Sequence, residues 1–304
     1  MDPEVLEALT DSFTDMSSMT VKIILYGPPG AGKTKLGATI GNKILFVRAD
    51  PEGWQTLINH PELGLGTRIR VMDYKGISQL EFLADAIVEG EPPFDQFDTL
   101  MLDTLSHMSQ LDLDLVTRVN IDKKGYIGGE RSLEKMKFDF ERDMFGVYNQ
   151  NALRMKGALH KLFQSNINIV ATAHEYNRKL RATNTERTEP LFPPAVLAAI
   201  NANVSMMAYM TSNEAGVDSD GTVKYHREIQ YHPTRTIMAK TRIGGLPVSE
   251  DDPDLKTIVD EWLAKGAQLL GHDEAEEIRD VPGLELPATA QSDQSEDFGF
   301  GDDN

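Results

Sequence analysis

The sequence predicts an α/β fold: a mostly parallel sheet flanked by helices, with a C-terminal antiparallel extension and a disordered acidic tail. Three observations carry this. Five short apolar runs alternate with helical patterns between residues 21 and 174. Strands that alternate with helices pair in parallel, are covered on both faces and so read as near-continuous apolar runs. A glycine-rich run joins the first apolar run to the first helical pattern, and the last thirty-odd residues are acidic and poor in core formers.

The elements follow in order. Residues 1–19, "MDPEVLEALTDSFTDMSSM", read as an acidic N-terminal arm. "VKIILYG" (21–27), "KILFVRAD" (43–50), "RIRVMDY" (68–74), "FDTLMLDTL" (97–105) and "NINIVATAH" (166–174) are predicted strands, with the helix pattern "SQLEFLADAIVEG" after the third. Residues 120–132, "NIDKKGYIGGERS", are basic and glycine-rich and predict an exposed loop. Residues 175–194, "EYNRKLRATNTERTEPLFPP", predict a long mobile loop. "NVSMMAYMTS", "TVKYHREIQYH" and "RTIMAKTR" predict shorter antiparallel strands, and residues 253–268 a closing helix. Residues 20–270 thus form one predicted domain, and residues 271–304 a disordered tail.

Composition narrows the chemistry. Without Cys there is no disulfide, thiolate metal site or thiol nucleophile. No apolar run approaches the ~20 residues that span a bilayer, and the first residues lack the basic start of a secretory signal. A cytoplasmic location without membrane partners is expected. The net charge is −18, but residues 271–304 hold eleven acids and one Arg, and residues 1–19 five acids and no Lys or Arg. The middle of the chain is close to neutral, so local basic patches decide whether it meets nucleic acid.

Gly27-Pro28-Pro29-Gly30-Ala31-Gly32-Lys33-Thr34 spells G-x-x-x-x-G-K-T between a predicted strand and a predicted helix. That is the P-loop pattern in its required context. Glycines let backbone N–H groups turn inward onto phosphate oxygens, Lys33 supplies a charge for the β- and γ-phosphates, and Thr34 offers a hydroxyl to Mg²⁺. ATP and Mg²⁺ are the expected cofactors. "TLMLD" ends in Asp103, seventy residues after Lys33. A carboxylate at a strand end is the expected partner of a phosphate-bound Mg²⁺, with Thr104 or Ser106 as helpers; the plainer alternative is a helix cap. Thr104 follows Asp103 where many such proteins have Glu, so the base for water must come from elsewhere. Glu52 is favoured over Asp50, in "RADPEG", although D-P-x-G is also a turn sequence. His174 ends the fifth strand, either as a hydrogen-bonding sensor of the γ-phosphate or as a partly buried His with a local partner.

Together, "GPPGAGKT", "RADPEGW", "TLMLDTLSHM", "IVATAHE" and "IMAKTRIGGLP" resemble the RecA-like P-loop ATPase core over Val21 to Pro247. More narrowly they resemble the phage-encoded RecA-like ATPases described as single-strand annealing or phage nucleotide-binding proteins. The resemblance implies ATP hydrolysis on single-stranded DNA, in recombination or annealing within a bacterial host cell. It implies that Lys240 and Arg242 act in trans, in a ring or filament. It further implies that two loops face DNA, with Lys123, Lys124, Tyr126, Arg178, Lys179, Arg181 and Arg187 as contacts. The acidic end, with Phe298 and Phe300, resembles tips that dock partner proteins, which suggests a single-strand DNA-binding protein as a further partner; a plain solubilising tail is the alternative. The competing classes are a replicative helicase or helicase loader, a nucleotide kinase with residues 175–194 as its lid, and a non-hydrolysing scaffold.

Overall fold

The computed structural model describes residues 19–50, 53–124, 133–180, 184–217 and 223–269. The acidic arm up to residue 18 and the tail from residue 270 lie outside them. Ten strands form one sheet: β1 (Lys22–Gly27), β2 (Ile44–Arg48), β3 (Ile69–Asp73), β4 (Thr99–Asp103), β5 (Asn168–Leu180), β6 (Thr185–Pro190), β7 (Met206–Val217), β8 (Val223–Gln230), β9 (Lys240–Thr241) and β10 (Ser249–Asp251). The spatial order is β10-β8-β7-β1-β5-β4-β2-β3, with β6 paired to β5 and β9 to β7. The first five strands pair in parallel throughout, as the sequence predicts.

The helices are α1 (Lys33–Gly37), α2 (Gln55–Ile58), α3 (Ile77–Val88), α4 (Leu105–Lys124), α5 (Leu133–Gln164), α6 (Pro194–Asn203) and α7 (Leu255–Leu269). They cover both faces of the sheet. Successive residues of a strand point to opposite faces. Ile24, Tyr26, Leu100 and Leu102 accordingly enter a core with Leu80 and Leu83 of α3, Met108 of α4 and Leu159 of α5. Ile23, Leu25 and Met101 enter the other core, with Leu255 and Val259 of α7. This two-sided burial is why β1 and β4 read as near-continuous apolar runs; every residue of both is buried.

Four expectations need correction. Residues 120–124 are not loop but the end of α4, while residues 125–132 lie outside the described residues. Residues 175–180 and 185–190 are strand and not a mobile loop, while residues 181–183 lie outside the described residues. β5 continues to Leu180, and β6 returns antiparallel to it, from Glu175↔Pro190 to Leu180↔Thr185. The hairpin reads as a loop because Tyr176, Asn177, Arg178 and Lys179 are exposed, so no apolar alternation marks them. β7 is antiparallel to β8 and to β9, as expected, but on its other side it is parallel to β1, from Ile23↔Met206 to Tyr26↔Tyr209. The crossover that permits this includes α6. Of "RTIMAKTR", only Lys240–Thr241 enters the sheet. Helices α5 and α6 were not anticipated. The first has weak amphipathic patterning, and the second sits behind the prolines that suggested a loop end.

Two features of this topology place the site. β5 lies between β1 and β4, so the loop after β1 and the acid ending β4 flank one strand. Register then sets depth: Gly27 is paired with His174, Leu25 with Thr172, and Leu102 with Ala171.

Candidate functional site

The chain leaving β1 has to turn sharply under a neighbouring strand. Gly27 has φ 152°, and a Cβ there would stand 2.0 Å from the Met210 backbone oxygen of β7. Only glycine fits both the conformation and the gap. Ala31 N–H donates to Pro28 O at 3.4 Å, and Gly32 in the left-handed region opens α1. Gly30 is exposed at the loop's outer side and Pro29 beside it; Ala31 is buried beneath.

Lys33, 7% exposed, folds back over this loop. Its Nζ donates to Gly27 O at 2.9 Å and to Pro28 O at 2.7 Å. Burial lowers its pKa to about 8, against the attraction of Asp103 and Glu175. Thr34 Oγ1 lies 3.1 and 3.3 Å from the Asp103 carboxylate oxygens and donates to them. Thr172 on β5 donates to the same carboxylate. Asp103 is 2% exposed. Burial raises its pKa, while Thr172, Thr34 and Lys33 pull it back down and Asp50 adds to the rise. The Asp103–Thr104 peptide bond is cis.

A hydroxyl beside a carboxylate, at the mouth of a loop whose glycines leave room for backbone approach, is an oxygen donor set of the kind a hard cation takes together with phosphate oxygens. The residues present therefore fit a nucleotide with Mg²⁺. Thr34 and Asp103 would hold the metal, Lys33 and the 27–32 backbone the phosphates. The helpers Thr104 and Ser106 are used locally instead. Thr104 Oγ1 accepts from His107 N–H at 3.2 Å, capping α4, and Ser106 Oγ donates to Leu191 O at 3.1 Å.

The loop after β2 borders this cluster. A Cβ on Gly53 would be 3.2 Å from Asp103 Oδ2. Asp50 acts electrostatically on both Asp103 and His174. Glu52, the favoured base, lies outside the described residues. His174 stands midway along β5 beside Gly27, where burial, then Lys33 and His107, lower its pKa and favour the neutral imidazole.

Three residues join the site without having been singled out. Thr172 shares a strand face with His174, and a lone polar residue two positions before it was the signal. Glu175 follows His174, accepts from Tyr209 Oη at 2.7 Å, and its charge reaches Lys33. Arg227 on β8 leans over the loop: a Cβ on Gly32 would meet its Nε at 2.5 Å, and that buried Nε has no hydrogen-bond partner. Arg227 borders one pocket with Gly30, Lys33 and Thr34, and another with Leu36, Thr39, Met210 and Pro253. The second has the mixed apolar and polar walls that suit the nucleoside half of a nucleotide. Nothing local in "KYHREIQ" marks Arg227.

Lys240 and Arg242 are not part of this cluster. β9 pairs with the start of β7, Met207↔Lys240, beside Ile24 and thus towards the end of β1 away from the loop. Lys240 Nζ donates to Asn201 O and Arg242 Nη2 to Ala202 O, the latter at 2.7 Å, so both sit on carbonyls at the C-terminus of α6. Of the expected DNA contacts, Lys123 and Lys124 end α4. Arg178 and Lys179 lie on β5 and Arg187 on β6, with Arg178 and Arg187 directly opposite each other. Arg178 approaches Glu189 at 3.5 Å. Tyr126 and Arg181 lie outside the described residues.

A phosphate loop after β1, the acid that ends β4 and polar residues of β5 between them make this a P-loop ATPase domain on a parallel α/β sheet. The chain belongs to the AAA domain family, whose model matches residues 19–243. It is similar in structure to the flagellar accessory protein FlaH from Methanocaldococcus jannaschii, at 11% identity over 76% of this chain and 84% of that chain, with a TM-score of 0.38. No curated protein matches the chain. Among the described residues, no helix is long and apolar enough to cross a membrane.

Proposed function

We propose that this protein binds and hydrolyses ATP with Mg²⁺ and acts on single-stranded DNA, in recombination or annealing of the phage type. The observation that carries the reading is one continuous strand. β5 brings Thr172 and His174 to the phosphate loop and, within five residues, becomes a hairpin bearing Arg178, Lys179 and Arg187. Basic side chains on such a hairpin neutralise DNA phosphates, and one strand is a short route from them to His174. The same strand pairing disfavours the kinase reading, which needs a mobile lid there.

The test is ATP turnover with and without oligo-dT at two salt concentrations. A several-fold stimulation is expected, falling with salt, because log affinity for a single strand drops by about 0.7 per neutralised phosphate for each tenfold rise in salt. Turnover indifferent to DNA at low salt would overturn the DNA reading.

Lys240 and Arg242 stand apart from their own phosphate loop, which supports action on a neighbouring subunit in a ring or filament. An arginine aimed at a transferring phosphoryl group contributes about 10³-fold or more. Arg242→Ala and Lys33→Ala are each expected to be inactive alone and to regain turnover when mixed, since some interfaces then combine an intact loop with an intact arginine. No recovery in mixtures that co-assemble would sink the trans role.

Lys33 also sets a pH dependence. Its pKa in the free protein is about 8, and a bound triphosphate holds it charged and raises that value. Below pH 7 the lysine is protonated with or without nucleotide, so affinity is insensitive to its titration. Above pH 8 binding must take up a proton, and Kd is expected to rise by up to about tenfold per pH unit. Calorimetry in two buffers of different ionisation heat should show proton uptake near zero at low pH and approaching one at pH 9.

A further inference from the structure

A cavity of about 310 Å³ opens on the far side of His174 from the phosphate loop, bounded by α4, α5 and the chain that follows β6. Its size is at the lower end of small-ligand pockets. Two of its lining groups are buried polar atoms with no hydrogen-bond partner, Asn151 Oδ1 and His107 Nδ1. Asn151 is 5% exposed, so its amide cannot turn to bulk water. Buried polar atoms are ordinarily paired; both atoms are themselves shielded from the open space of the cavity, and a turn of either side chain brings its unmet hydrogen-bonding capacity to the polar edge of a ligand there. Tyr148 lines the same cavity at 37% exposure, and Phe192 adds a second aromatic ring.

An amide and an imidazole beside aromatic rings make a site for a flat heterocycle with donors and acceptors on its rim. Asparagine is a recurrent partner of the adenine edge, and aromatic side chains stack on bases of single strands. We infer that this cavity takes a nucleobase, everted from a bound DNA strand. The inference rests on the single-strand reading above and names where a base, rather than a phosphate, would be held. The cavity lies where the basic hairpin leaves β5. Its wall is hydrogen-bonded to His174: Leu191 N–H donates to His174 O at 2.8 Å, and His174 N–H donates to Ser106 Oγ at 3.0 Å. A base in the cavity therefore touches the residue that also borders the phosphate loop, which gives DNA a physical route to the ATP site.

The experiment measures anisotropy of labelled oligo-dA and of an abasic strand of equal length on the full-length protein, and the ratio of ATP turnover with and without each. Wild type should bind oligo-dA about tenfold more tightly than the abasic strand, and only oligo-dA should stimulate. Asn151→Leu keeps the branching of the side chain and removes the orphan amide, and Tyr148→Ala changes a partly exposed side chain; both should erase the preference for bases. A preference unchanged in both variants overturns the cavity assignment and leaves DNA-dependent turnover standing. No binding of either strand by wild type overturns both. Calorimetry with free deoxyadenosine separates the sources: binding that is lost in the variants, together with equal affinity for the two strands, assigns the cavity to a free nucleoside and overturns the strand-derived base.

Discussion

Lys33→Ala is expected to reduce ATP turnover by about 10²-fold or more, the scale on which a preorganised charge is lost from a phosphoryl-transfer site. The side chain is buried and its ammonium rests on Gly27 O and Pro28 O, so it is held in place before any phosphate arrives. A fixed charge in a water-poor setting acts more strongly on developing negative charge than the same charge in solvent. The fold should survive. The variant loses two hydrogen bonds to carbonyls but also a cation whose burial is costly, and the two effects offset to within about 1 kcal/mol. Lys33→Arg should not restore turnover, because a planar guanidinium cannot occupy a pocket shaped for a point charge. Steady-state hydrolysis alongside thermal denaturation checks both halves. Turnover within threefold of wild type would remove Lys33 from the chemistry.

Gly27→Ala should instead unfold the site's foundation. The new methyl would sit 2.0 Å from the Met210 carbonyl oxygen, at a φ of 152°. Neither strand can yield, since β1 is flanked by β5 and β7 and buried along its whole length. Relief requires β7 to move off β1, and the cost is about 3 kcal/mol or more. In a domain of this size that lowers the thermal midpoint by about 10 °C. Gly30 provides the contrast. It too has a positive φ, but a Cβ there meets nothing within 4 Å. Gly30→Ala should therefore cost only about 1 kcal/mol, the penalty of the left-handed conformation. Equal midpoints for the two variants would show that the close approach of β7 does not govern the loop.

The parts of the site that were legible in the sequence are those whose chemistry is written locally. Gly27 to Thr34 announces itself because a phosphate loop needs glycine, Lys and a hydroxyl at fixed spacing after a strand. Asp103 is legible because an acid ending an apolar strand has few other uses. Thr172 leaves only a faint mark, a lone polar residue in an apolar run, and Glu175 and Arg227 leave none. They come to the site through strand order and register, and the pairing of β7 with β1 and of β8 with β7 is what carries Arg227 over Gly32.

The hairpin of β5 and β6 shows the same division. The β5 side chains from Tyr176 to Lys179 are exposed, so burial leaves no periodic signature there, and the strand character comes from hydrogen bonds to a partner ten or so residues away. Lys240 and Arg242 were recognisable as a basic pair. Only the pairing of β9 with the start of β7 placed them on the carbonyls of α6 and away from their own phosphate loop. The sequence by itself determined the five parallel strands, the phosphate loop and its acid, because two-sided burial and phosphate chemistry each impose a local pattern. The tertiary structure decided which strand lies between them, that the polar segment after His174 is sheet, and which distant side chains share the site. Those outcomes depend on backbone pairing and packing between residues far apart in the chain, which no local pattern encodes.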